Sequence, residues 1–266
     1  RETYEYYTVQ SGSSNIPDQL KCVKIGTQTI YYFTYDARGN MVRKYYGDQN
    51  SGTYDQYTWD IRDRLTKVRK VTPTQVHEFQ YVYNWRGEKI ARKNCQTNQW
   101  TFEVYHKTTP IGKFTGSAAS TGATVLSPYL TAYLVNGGVS GQIISEYNTG
   151  NGVRKYYFYD RMGNVSSLVS NNGTLLESYE MDAYGNVSSG SQGGYHLTTK
   201  EYDSDAGLYY FYQRWYDPSI GLFLKKTKYH AYEGSYLFCL NSPVLYIDPD
   251  GRFPAPVWIG LASGIV

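Results

Sequence analysis

Aromatic residues recur at every second position in short bursts along this chain, and each burst ends on an acid or an amide. Phe33 and Tyr35, Tyr57 and Trp59, Tyr81 and Tyr83, and Tyr157 and Tyr159 follow this rule. Side chains two apart on a strand share a face, so each burst predicts a strand with one aromatic face. The next position holds Asp36, Asp60, Asn84 or Asp160, and Asp182 ends a looser fifth phrase, YEMDAYGN at 179–186. Gly39, Gly87, Gly163 and Gly185 stand three residues further on, while the second phrase carries Asp63 there. An Asp or Asn that accepts a nearby backbone N–H, followed by a residue in the left-handed region, predicts a type I turn closing a bulged hairpin. Asp tolerates that conformation better than most residues, so the second phrase fits as well.

The phrases are periodic. Asp36, Asp60 and Asn84 are 24 residues apart, and Asp160 and Asp182 are 22 apart. A fixed period of this size marks a repeat architecture. One hairpin is barely stable alone, so neighbouring units are expected to pair edge to edge in one long antiparallel sheet. The region 105–150 interrupts the pattern. Its stretch GKFTGSAASTGATVLSPYL at 112–130 is small, polar and Gly-rich, and reads as an insertion or loop, with a mobile linker as the second reading. Strand patterning resumes at QIISEYNTG.

Composition sharpens this picture. Tyr occurs 31 times against 9 Phe and 5 Trp, in a chain of 266 residues with 26 Gly to supply turns. Tyr favours strands and carries a wettable tip on an apolar ring. It suits a single-layer wall with water on or near both faces, in which rings stack across strands and hydroxyls stay hydrated or bonded. The balance of 26 Lys and Arg against 23 Asp and Glu argues against a nucleic-acid partner, which calls for a concentrated basic face.

Candidate chemistry is sparse. Cys22, Cys95 and Cys239 show no metal-binding or redox spacing, and His77, His106, His196 and His230 are isolated. Neither a metal nor a cofactor is expected. No phosphate-cradling Gly-rich loop with its Lys occurs. No apolar stretch reaches the roughly 18 residues of a membrane span. The opening RETYEYYTVQ lacks a signal peptide, and the closing FPAPVWIGLASGIV stops inside an apolar run, so the sequence reads as a fragment. That closing run fits an internal strand or anchor, which is preferred, the start of a translocating helix, or a truncated membrane span. Pro254 and Pro256 disfavour a helix that begins before Val257.

The recurring Tyr-Asp phrase with its downstream Gly resembles the YD repeat, also called the RHS repeat. The stretches KEYDSDAGLYYFYQRWYDPSIGLFL at 200–224 and YLFCLNSPVLYIDPDGR at 236–252 resemble the RHS-associated core domain. Its D-x-x-x-G-L-Y-Y segment corresponds to Asp203 to Tyr210. Its Tyr-Asp-Pro-x-x-Gly segment corresponds to Tyr216, Asp217, Pro218 and Gly221, and its closing D-P-x-G to Asp248, Pro249 and Gly251. The resemblance implies an all-β fold: spiralling antiparallel hairpin repeats that form a hollow shell, a β-cocoon, closed by a core plug. It implies repeats over 1–192, with the irregular insertion at about 105–150, a core domain over 193–251, and the start of a variable or internal segment at 252–266. At about 4.8 Å per strand, roughly 20 strands would make a wall on the order of 95 Å long, or one turn about 30 Å across.

Function follows from the resemblance as an expectation. Bacterial members hold a C-terminal toxin or effector inside the shell, and in the animal teneurins the shell belongs to an adhesion receptor. The expected role is a secreted or cell-surface shell fragment that encloses and helps deliver its own C-terminal cargo. The expected partners are that cargo, upstream repeats of the same parent chain, and a secretion-machinery or cell-surface component. A surface adhesion or carbohydrate-binding module is one alternative, and a self-cleaving aspartyl protease core is another. For the latter the resemblance offers Asp217 as a catalytic carboxylate, with Arg214 nearby. However, the family's second Asp-Pro is replaced by Thr227 and Lys228, and the Arg of its G-R-F by Leu222. Two carboxylates sharing a proton are needed to activate water, and one beside a Lys stays ionised, so self-cleavage is expected to be lost.

Overall fold

The computed structural model describes residues 1–7, 18–106, 109–118, 124–136, 142–190, 193–228 and 235–256. Among these, fifteen strands form one antiparallel sheet in strict chain order. They are β1 (Glu2–Tyr6), β2 (Leu20–Ile25), β3 (Gln28–Tyr35), β4 (Met41–Tyr46), β5 (Tyr54–Trp59), β6 (Leu65–Val71), β7 (Val76–Tyr83), β8 (Lys89–Asn94), β9 (Gln99–His106), β10 (Thr109–Ala118), β11 (Thr124–Asn136), β12 (Ile143–Asn148), β13 (Arg154–Tyr159), β14 (Val165–Ser170) and β15 (Leu175–Ser178). A small pair follows, β16 (Glu180–Met181) with β17 (Val187–Ser189). A second sheet comprises β18 (Gly194–Tyr195), β19 (Glu201–Asp203), β20 (Leu208–Tyr210), β21 (Trp215–Asp217) and β22 (Leu222–Phe223), and the last pair is β23 (Tyr246–Ile247) with β24 (Ala255–Pro256). No α-helix occurs among the described residues.

The five turn phrases share one construction. The Oδ1 atom of Asp36, Asp60, Asn84, Asp160 or Asp182 accepts the backbone N–H groups two and four residues later. The closing residue lies at positive φ: 88° at Gly39, 58° at Asp63, 89° at Gly87, 79° at Gly163 and 90° at Gly185. Register shifts at Thr34/Tyr35, Thr58/Trp59, Val82/Tyr83 and Phe158/Tyr159 place a bulge beside each of the first four turns. Adjacent turns also grip one another. Asn40 Nδ2 donates to Asp63 Oδ1 at 2.9 Å, and Arg64 Nη1 donates to the Asn84 carbonyl at 3.1 Å.

The aromatic residue before each of those turns has a second task. Tyr35, Tyr83 and Tyr159 donate their hydroxyls to the carbonyls of Leu20, Leu65 and Ile143, and Trp59 donates Nε1 to the Met41 carbonyl. Each acceptor is the first residue of a preceding wall strand. A Val or Leu there would fill the same space but leave the inward carbonyl unsatisfied, which is expensive away from water. This role, rather than wetness on both faces, explains Tyr and Trp at these positions.

The second sheet lies on the aromatic face of the wall. Phe33, Tyr57, Phe79 and Tyr81 are buried in one core with Leu208, Tyr210, Trp215 and Leu224. The expectation of a single layer with water near both faces is therefore corrected over these strands. One face is dry because the chain's own later segment covers it, while Thr58 and Val82 on the alternate positions are exposed. The irregular stretch expected at about 105–150 is also corrected. Residues 109–118 and 124–136 are strands that continue the ladder, β10 pairing with both β9 and β11. Small residues weaken the aromatic signal there, but backbone pairing needs no particular side chain. Residues 119–123 and 257–266 lie outside the described set, as does most of the closing run.

The wall curls around the second sheet. Tyr236 meets Tyr35 on β3, the Leu224 carbonyl accepts from Met41 on β4, Asp203 accepts from Tyr81 on β7, and the His196 carbonyl accepts from Val165 on β14. Strands β3 and β14 would stand roughly 50 Å apart in a flat sheet at about 4.8 Å per step, whereas five inner strands span about 19 Å. Only a curved wall brings both within reach of one small element.

Candidate functional site

Inward positions on the wall carry cations, and the inner sheet answers with carboxylates. Lys44 on β4 reaches Asp217 on β21, Nζ to Oδ2 at 2.7 Å, with both side chains buried. Its ammonium also donates to Ser219 Oγ and lies 4.8 Å from the centre of the Tyr31 ring. Asp217 further accepts from the N–H and Oγ of Ser219. On β8, Arg92 holds Asp203 through Nε at 2.6 Å and Nη2 at 2.9 Å, and Nη2 also reaches Asp205 at 2.6 Å. Tyr81 donates to the same Asp203 at 2.7 Å. The Asp of the D-x-x-x-G-L-Y-Y segment thus anchors the inner sheet to the wall.

The densest cluster joins β8, β9, β10 and β19. Lys89 Nζ lies 3.0 Å from Glu103 and 2.5 Å from Glu201, and Lys113 lies 2.6 Å from Glu201. Tyr105 donates to Glu103. Burial and the neighbouring Glu201 charge push the Glu103 carboxyl up to about 7. Glu201 goes the other way: burial opposes its charge, but Lys113 and Lys89 outweigh it and hold the carboxyl well below its usual range. Burial likewise works against the charges on both lysines, and the two carboxylates overcome it and raise both pKa values.

Asp217 and Arg214, neighbours in sequence, do not meet through their side chains. Arg214 turns to the closing segment, with Nε on the Gly251 carbonyl at 2.5 Å, Nη1 on the Ser235 carbonyl at 3.1 Å and Nη2 on Asp248 at 3.1 Å. Its guanidinium stands 3.5 Å from the Phe223 ring centre, and burial lowers its pKa to about 10 despite Asp248. The Lys that holds Asp217 is Lys44 on the wall rather than Lys228. Asp217 and Asp248, the acids of the two Asp-Pro segments, are each occupied by a buried cation.

The remaining motif residues build the frame. Tyr216 donates to the Tyr184 carbonyl, and the Pro218 carbonyl accepts from Asn186 Nδ2. Gly221, at φ 69°, passes the Tyr184 ring, so these residues dock on the fifth turn phrase around Asp182 and Gly185. Asp248 Oδ1 accepts the N–H groups of Gly251 and Arg252, closing the turn through Pro249. A Cβ on Gly251 would stand 2.8 Å from the Phe211 carbonyl oxygen. Lys44, Lys89, Glu103 and Lys113 were missed by the sequence reading. The one available signal was a charged residue at an inward position of an otherwise aromatic or apolar strand face. Among the described residues no group of His, Cys, Asp and Glu is arranged to hold a metal ion.

Comparison with known proteins gives a consistent answer. No family model matches the chain. The tRNA3(Ser)-specific nuclease WapA of Bacillus spizizenii is 28% identical over 282 aligned positions, covering 97% of this chain and 10% of that protein. Teneurin-3 of Danio rerio is 23% identical over 94% of this chain and 10% of its own length. The chain thus spans about a tenth of the length of these two relatives. A crystal structure of TcdB2-TccC3-Cdc42 superimposes with a TM-score of 0.59 at 18% identity, over 98% of this chain and 16% of that one, and so shares its fold. Together these relatives point to the RHS/YD-repeat family.

Proposed function

We propose that the chain is a shell segment of an RHS-type protein that encloses and helps deliver a polypeptide encoded downstream. In this reading residues 1–192 supply wall, residues 193–251 supply a plug, and residues 252–266 begin the segment that the shell serves. The observation that carries the reading is the wrap: consecutive hairpins form a continuous curved barrier, and the chain then folds back onto its inner face. Buried ion pairs at that seam suit a part that must seat in one register rather than slide. The proposed partners are the downstream polypeptide, upstream repeats of the same parent and a secretion or surface component, with a secreted or cell-surface location. The nuclease activity named for the Bacillus relative belongs to a protein of which this chain matches a tenth. Containment is the part assigned here, and self-cleavage is not, since Asp217 is committed to Lys44. Protease digestion of the parent protein tests the reading. The polypeptide after residue 266 should survive digestion while the wall is intact, and become sensitive when Asp203→Ala and Glu201→Ala loosen the plug. Equal digestion in both cases overturns containment.

A further inference from the structure

A cleft of about 180 Å³ opens where the second and third turn phrases meet the inner segment. A single water needs about a tenth of that volume. Eight of its lining residues are cationic and one, Asp63, is acidic. Several of these charges are already matched. Arg64 pairs with Asp60, Arg214 with Asp248 and Arg252 with Asp250, while Asp63 itself turns to Arg38. Five cations remain without a carboxylate ion pair among the described residues: Arg62, Arg86, Lys225, Lys226 and Lys228. Lys225 donates to a backbone carbonyl, that of Asp63 at 2.7 Å, and Arg62 reaches the Trp85 carbonyl at 3.4 Å. Burial, with the Lys228 and Arg214 charges, lowers the Lys225 ammonium to about 8 and outweighs the opposing pull of Asp63 and Asp60. Trp85 stands at the rim, 77% exposed, with Arg86 against its ring.

Carrying this many like charges into one cleft is unfavourable unless something neutralises them. We propose that the cleft is an anion site that takes a phosphate-bearing ligand with two or more negative charges. A peptide delivers one carboxylate per side chain, spread over several ångströms of backbone. A diphosphate packs its charge and acceptor oxygens into a volume this cleft can hold, and meets Lys and Arg donors by charge-assisted hydrogen bonds. The site lies where the chain leaves the D-P-x-G turn, because Gly251 and Arg252 line it and Thr227 Oγ1 donates to the Arg252 carbonyl at 3.0 Å. An occupied cleft therefore ties the Lys225–Lys228 segment to the wall turns and fixes the exit of the closing segment.

Calorimetric titration of the chain with sodium pyrophosphate tests this, with acetate as the monovalent control and a Glu-rich peptide as the rival. The expected result is saturable one-site binding of pyrophosphate, with affinity about tenfold or more lower in the Lys226→Ala, Lys228→Ala double variant. Both side chains are exposed, so the variant's melting temperature should match wild type without ligand. Running ADP beside pyrophosphate separates two sources of the same chemistry. Tighter ADP binding that Trp85→Ala abolishes supports a nucleotide, and equal affinity supports a free oligophosphate. Absence of saturable pyrophosphate binding overturns the proposal. So does binding that the double variant leaves unchanged, or binding of the acidic peptide alone.

Discussion

The Lys44–Asp217 pair shows how one residue can matter without catalysing anything. The acid sits in a motif that the family resemblance associates with self-cleavage, yet its oxygens accept from Lys44 and Ser219. Removing one partner of a buried pair leaves the other charged and unsatisfied. Asp217→Asn is expected to destabilise the chain by about 3–5 kcal/mol in denaturant unfolding. Combined with Lys44→Met it should cost less, since neither charge is then stranded. If the double variant is as unstable as the single, the ion pair is not the reason that Asp217 matters. The aromatic alternation was legible because strand side chains repeat every two residues, and the Asp or Asn of each turn with its closing Gly because the turn closes within four residues. The partner of Asp217 was not legible: Lys44 is 173 positions away, and nothing local marks an inward lysine as different from a surface one.

At the scale of the element, the hairpin turn and the closing core turn ask different things of their glycines. Gly87 lies at φ 89° with open space around the position of a Cβ, so Gly87→Ala carries only backbone strain, about 1 kcal/mol. Gly251 lies at φ 77° with the Phe211 carbonyl oxygen 2.8 Å from where a Cβ would be. Gly251→Ala must also displace the backbone that Arg214 holds, and should lose at least about 2 kcal/mol more. Thermal melts of the two variants should separate by that margin, and similar melts would mean that the closing turn yields freely. Strand identity was legible where aromatic residues alternate. It failed at β10 and β11, where the stretch 112–130 is rich in small and polar residues and the ladder to β9 decides the structure. Sheet pairing of that kind comes from a neighbour already in place, and no single stretch announces it.

For the molecule as a whole, two buried groups pull stability in opposite directions with pH. The Glu103 carboxyl is pushed up to about 7 in the folded chain by burial and Glu201. Its raised pKa gives a contribution fully present below the ordinary value of 4.5 and lost as pH rises through about 7. His196, fully buried against Tyr179, is lowered to about 4 by burial. Its contribution is present above 6.5 and falls away as pH drops toward 4. Between roughly pH 5 and 6.5 the two slopes oppose, each near 1.4 kcal/mol per pH unit, so the seam should hold almost evenly there with respect to these groups. Substitution unmasks each. Glu103→Gln should lose about 2 kcal/mol between pH 7 and 5 as the histidine takes up its proton in the unfolded chain alone. His196→Leu should gain a similar amount over the same interval, because the folded chain then binds the extra proton at Glu103. Urea unfolding at the two pH values checks both signs. Two variants that both track wild type would show that neither group titrates as its surroundings require. Glu103 sits in the wall–inner sheet seam on β9, and His196 joins the inner segment to β14 through its carbonyl bond to Val165, so a shift in either slope acts on the seating of the inner sheet against the wall.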